Sequence, residues 1–113
     1  MQQLAQLSHA DYERFLALPE NAGRRLELIN GEVIETMPTF LHGEITGLIF
    51  MLIREYLLQN PLGRVAVEAR YRPTDGSAND FIPDVSFIRD ATRIPPDGPI
   101  LGMPDLAVEI LSP

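Results

Sequence analysis

The sequence predicts an α+β fold: a short N-terminal helix, a β-hairpin, one long helix, then a mixed sheet that the long helix covers on one face. Three observations carry this. The segments are short and follow the order α, ββ, α, β, β, β. An Asn30-Gly31 pair separates two β-prone runs. Apolar residues then recur at steps of three and four across residues 39–60. With 113 residues and no internal repeat, low-complexity tract or linker, the chain reads as a single domain with one modest core.

Ser8-His9-Ala10-Asp11 has the shape of a helix start. Ser8 is the cap, and Asp11 sits in the first turn, where the helix dipole favours an acid. The helix is expected over residues 11–18, with a narrow apolar face of Tyr12, Phe15 and Leu16, and Pro19 and Gly23 break the pattern. Residues 25–29 and 32–37 form the two arms of a hairpin, because the type I′ turn needs positive φ at both central residues and Asn-Gly supplies it. Thr39 opens the long helix, whose stripe is Leu41, Ile45, Leu48, Leu52 and Tyr56. Ile49, Phe50 and Ile53 widen it, so the helix is expected to be covered on most sides. Pro61 and Gly63 end it. Residues 64–72 alternate as a half-buried strand, and residues 73–79 are turn-rich. Residues 81–88 form the next strand. Residues 90–104, with four prolines and two glycines, read as loop without a regular element. Residues 105–111 form the last strand.

Composition narrows the chemistry. There is no cysteine, which excludes disulfides and Cys-ligated metal centres and fits a reducing compartment, the cytoplasm. Met1-Gln2-Gln3-Leu4 lacks the basic and apolar regions of a signal peptide, and the longest apolar run, residues 48–53, is too short to cross a bilayer. A net charge of −7 argues against a simple basic-patch nucleic-acid binder. It leaves room for an enzyme whose carboxylate site is acidic until a divalent cation arrives.

Two acids interrupt apolar strands. Glu109 stands within Leu106-Ala107-Val108-Glu109-Ile110-Leu111, a run that reads as a strand buried on both faces. A buried carboxylate needs a cation, a metal or a raised pKa. A structural arginine partner or a strand-end position near water would satisfy it equally. Asp84 follows Pro83, which stiffens the strand entry, and precedes Val85-Ser86-Phe87-Ile88. It reads alone as a turn aspartate. Together the two are more telling, since successive strands are usually neighbours. If their faces coincide, two carboxylates converge, as suits Mg²⁺ or Mn²⁺.

Pro83-Asp84 … Glu109 resembles the signature of the PD-(D/E)XK nuclease superfamily. More closely, four stretches resemble the Uma-type restriction endonucleases, in order and spacing. They are Arg25-Leu26-Glu27-Leu28-Ile29-Asn30-Gly31-Glu32, His42 at the start of a long helix, Pro83-Asp84-Val85-Ser86-Phe87, and Pro104-Asp105-Leu106-Ala107-Val108-Glu109-Ile110-Leu111-Ser112-Pro113. The resemblance implies a restriction-endonuclease-like core and a Mg²⁺- or Mn²⁺-dependent enzyme that hydrolyses phosphodiester bonds in DNA. It implies that Asp84 and Glu109 hold the metal, that Glu27 completes the site and that His42 occupies a recurring polar position, where a helix-start histidine making a structural hydrogen bond is the equal alternative. Glu44 is a weaker candidate, read as a solvated acid of the helix.

The superfamily places a lysine two residues after the glutamate. Here that residue is Leu111, and all nine basic residues are arginine. The Uma-type relatives resemble this chain in lacking that lysine and use one from a following helix. The single domain over residues 1–113 is therefore expected to lack the family's later strands and helix, and to cleave weakly or not at all. Arg70 and Arg72 are substitutes for phosphate contact, or pair with surface acids. A non-catalytic, self-associating homologue and an unrelated interaction module, with Asp84 and Glu109 paired to arginines, stay open. An apolar last strand at a sheet edge invites pairing with another chain, so a homo-oligomer is expected.

Overall fold

The computed structural model describes residues 6–111. Met1-Gln2-Gln3-Leu4 and Ser112-Pro113 lie outside the described residues. Helix α1 spans His9–Leu16. Its start is a capping box, in which Ser8 accepts from the Asp11 N–H and the Asp11 carboxylate accepts from the Ser8 N–H. Strands β1 (Leu26–Ile29) and β2 (Glu32–Glu35) pair antiparallel around Asn30 and Gly31, at φ 50° and 82°, as the type I′ turn requires.

Helix α2 runs Phe40–Gln59, and Thr39 caps it by accepting from the His42 N–H. The face it buries differs from the expected stripe. Thr46 and Leu57 are buried and Ile49, Phe50 and Ile53 half-buried, while Leu41, Ile45, Leu48, Leu52 and Tyr56 are exposed. Both sets obey the same three-and-four spacing, so periodicity alone does not choose between them. The helix is not covered on most sides among the described residues.

The strands are distributed over several small sheets rather than one. Strand β3 (Arg64–Val67) and β4 (Tyr71–Arg72) replace the single strand expected over residues 64–72. The chain turns at Glu68, a non-glycine residue at φ 54°. That turn lets β3 pair with β5 (Val85–Ile88) and β4 leave for another partner. The partner is β6 (Ile100–Leu101), which pairs parallel to β4 and lies in the stretch expected to be featureless, as does a 3₁₀ turn over Ala91–Arg93. The prolines and glycines there limit element length and do not forbid a two-residue strand. Strand β7 (Leu106–Val108) completes an antiparallel sheet of order β3-β5-β7. Single bridges, Leu28 to Asp80 and Tyr71 to Phe81, tie the sheets together.

The core is small. It holds Tyr12 from α1, Leu26 and Leu28 from β1, Leu57 from α2, Tyr71, Val85, Ile88 and Ile100. Its polar members are partnered inside: the Tyr12 hydroxyl donates to the Leu26 carbonyl at 2.9 Å, and the Tyr71 and Ser86 hydroxyls lie 2.7 Å apart. A network centred on the buried Asp80 joins α1 to the sheets. Asp80 Oδ2 accepts from Arg70 at 2.9 Å and Arg72 at 2.6 Å, and both arginines also reach Glu13. No helix among the described residues is long and apolar enough to cross a membrane.

Candidate active site

The antiparallel register of β5 and β7 builds the site. Val85 stands opposite Val108, so Asp84 and Glu109, the next residue outward on each strand, form the following cross-strand position. Neither acid lies inside its strand: Asp84 immediately precedes β5 and Glu109 immediately follows β7. Glu109 is therefore exposed rather than buried on both faces, because β7 is a three-residue edge strand. Asp84 is buried, at 2 % exposure. The two carboxylates do converge, and they line one pocket with Glu27 of β1, His42 of α2 and Arg25.

Each wall is held in place by its own backbone partners. Glu27 Oε2 accepts from the Ile82 N–H at 2.7 Å, which fastens the segment before Pro83-Asp84 to β1. His42 is the third residue of α2, beside its cap, and its carbonyl accepts from the Thr46 hydroxyl at 2.8 Å. The ring Nε2 lies 3.2 Å from Asp84 Oδ2. Asp84 Oδ2 also accepts from the Ile110 N–H at 2.8 Å.

Arg25 is the member that the sequence reading missed. Its guanidinium donates to Asp84 Oδ1 at 2.9 Å, the Ile82 carbonyl at 3.0 Å and Thr36 Oγ1 at 2.6 Å, and its Nε lies 3.4 Å from Glu68 Oε1. The signal was present: Arg25 and Glu27 are two apart at the start of a strand, so they share a face. Burial pushes the Glu109 carboxyl above the ordinary glutamate value, and the negative charges of Asp84 and Glu27 push it further, with Arg25 offsetting part of this. The pocket thus holds more negative charge than its arginine neutralises.

The other candidates lie elsewhere. Glu44 is exposed on α2, as a solvated acid would be. Arg70 and Arg72 pair with acids, although one of these, Asp80, is buried rather than on the surface.

The donor chemistry fits a hard divalent cation: three carboxylates and an imidazole face one pocket with surplus negative charge. In this arrangement, however, Arg25 takes the cation position on Asp84. Among the described residues, no three histidine or acidic side chains are spaced to hold a metal ion.

The family described as "Uma2: Putative restriction endonuclease" matches residues 12–113. Among solved structures, the chain is similar to the crystal structure of a putative nuclease belonging to DUF820 from Anabaena variabilis, with a TM-score of 0.64 and 29% identity. The match covers 88% of this chain and 57% of that one, so this chain spans little more than half the length of that relative. No curated protein matches. The restriction-endonuclease-like α+β core expected from the resemblance is the fold observed.

Proposed function

We propose, from the premise that this chain belongs to the Uma2 family of putative restriction endonucleases, that it serves metal-dependent hydrolysis of phosphodiester bonds in DNA. The observation that carries this reading is the adjacent cross-strand position of Asp84 and Glu109 in a pocket shared with Glu27 and His42. Asp84 and Glu109 would hold Mg²⁺ or Mn²⁺. When bound, such an ion supplies an activated water and stabilises charge at phosphorus.

The chain's own residues have distinct tasks. Glu27 fixes the Ile82 N–H and so positions Asp84. His42 and the Ile110 N–H both face Asp84 Oδ2 and orient its carboxylate. Burial and the charges of Asp84 and Glu27 raise the Glu109 carboxyl, and a bound cation would return it to the carboxylate form that a ligand needs. These 113 residues contain no lysine, and the superfamily's lysine position is Leu111, so cleavage by this chain alone is expected to be slow.

The test is nicking of supercoiled plasmid with Mg²⁺, with Mn²⁺ and with EDTA, beside thermal unfolding with and without Mn²⁺. The proposal expects slow cleavage that EDTA and Asp84→Asn abolish. It also expects a rise in melting temperature, since metal at about 100 times its dissociation constant adds about 2.7 kcal/mol. No metal effect on either measurement sinks it.

A second reading, self-association, draws on the exposed apolar stripe of α2, where Leu41, Leu48, Leu52 and Tyr56 are each more than half exposed. A compact monomer by light scattering at all concentrations removes it.

A further inference from the structure

The feature that the proposed function leaves unused is Arg25. It is anchored from three directions: Thr36 just beyond β2, Ile82 and Asp84 ahead of β5, and Glu68 at the turn between β3 and β4. Its side chain is 14% exposed and that of Asp84 3%. A carboxylate so buried requires a counter-cation, and Arg25 supplies it. An arginine cannot surrender its charge, so a second cation on the same carboxylate oxygen meets direct repulsion. Any such ion therefore competes with the guanidinium.

There is also somewhere for the guanidinium to go. Glu68 stands beside Arg25 as well, with Oε1 3.4 Å from Nε, and its side chain is 57% exposed. Arg25 Nε is buried and makes no hydrogen bond among the described residues. A turn of the side chain towards Glu68 would pair that donor while vacating Asp84 Oδ1.

We propose that Arg25 is a positioning residue that stands in for the divalent cation: it neutralises Asp84 when metal is absent and yields to metal by shifting onto Glu68. This rests on the reading of Asp84 and Glu109 as metal ligands. It makes Arg25 a determinant of metal affinity. An arginine displaced onto Glu68 stays beside the pocket, in a chain that has no lysine.

The experiment is Mn²⁺ binding by calorimetry for the full chain and for Arg25→Gln, Arg25→Lys and Asp84→Asn. Arg25→Gln is expected to bind Mn²⁺ about tenfold more tightly than the parent, because the competitor is gone. Arg25→Lys keeps the charge but loses the fork, and is expected to fall between. Asp84→Asn is expected not to bind. If Arg25→Gln is unfolded without metal, circular dichroism during a Mn²⁺ titration replaces calorimetry. Recovery of the fold below the parent's dissociation constant supports the proposal. Parent binding with both Arg25 variants equal or weaker overturns this inference and leaves the metal reading standing. No Mn²⁺ binding by the parent overturns both.

Discussion

Removing Asp84 and removing Glu109 should change stability in opposite directions, although the two carboxylates are neighbours. In Asp84→Ala the buried guanidinium of Arg25 loses its 2.9 Å partner and the Ile110 N–H loses its acceptor. Breaking a buried ion pair by removing one member costs about 3–5 kcal/mol, and orphaning a buried donor about 1–3 kcal/mol. The pocket is open enough for water to meet part of that loss, so a total of about 3–4 kcal/mol is expected. A domain of this kind has only about 5–15 kcal/mol in hand. Glu109 differs: the residue is largely open to solvent, but partial burial of its carboxyl on the pocket side and the charges of Asp84 and Glu27 hold its pKa above the ordinary value. Its charged form therefore opposes folding at neutral pH, and Glu109→Gln should leave the protein as stable as the parent or more so. The assay is urea unfolding at pH 7 in EDTA, with the slope checked for constancy. The reasoning fails if Asp84→Ala lies within about 1 kcal/mol of the parent, well inside the range of an exposed pair. It fails equally if Glu109→Gln is the more damaging change.

Further predictions concern the frame around the site. Burial and Asp80 push the Tyr12 phenol from 10.0 to about 12. Its contribution is thus complete below pH 10 and is lost as pH rises towards 12; Tyr12→Phe should remove that alkaline limb and cost about 1 kcal/mol for the hydrogen bond to Leu26. Burial raises the Glu13 carboxyl, but hydrogen bonds from Arg70 and Arg72 outweigh it and leave it below the ordinary 4.5. Its contribution is present above that value and fades as pH falls below it, so Glu13→Gln should flatten the acid side of a stability–pH curve. A Cβ at Gly63 would lie 2.3 Å from the Ile88 carbonyl, where backbone must move, so Gly63→Ala should cost about 1–3 kcal/mol by denaturant unfolding.

Much of this was legible in the sequence because it was written in local chemistry. Ser8 with Asp11, Asn30-Gly31 and Thr39 each fix an element end through one or two hydrogen bonds or a single backbone conformation. Asp84 and Glu109 were legible as acids misplaced among apolar neighbours, and chain succession brought them together. Glu27 and His42 came only through family resemblance, since nothing in their own neighbourhoods marks them. What stayed hidden depends on tertiary choice. The side of α2 that packs is selected by β3 and β5 between two stripes of equal period. The turn at Glu68 carries neither glycine nor proline to announce it. Arg25 became visible only when Asp84, Thr36 and Ile82 were gathered around it.

The hydrogen bond from the Ile110 N–H to Asp84 Oδ2 makes a side chain serve as the last rung of the β5–β7 ladder. A slip of β7 by one residue would turn Glu109 to the opposite face and withdraw that rung at once. Docking of the edge and alignment of the acids are thereby coupled through one hydrogen bond. Slow exchange of the Ile110 amide proton would report a formed pocket directly, without substrate or metal, and its loss in Asp84→Ala, which has no side-chain acceptor, would mark the strand coming free.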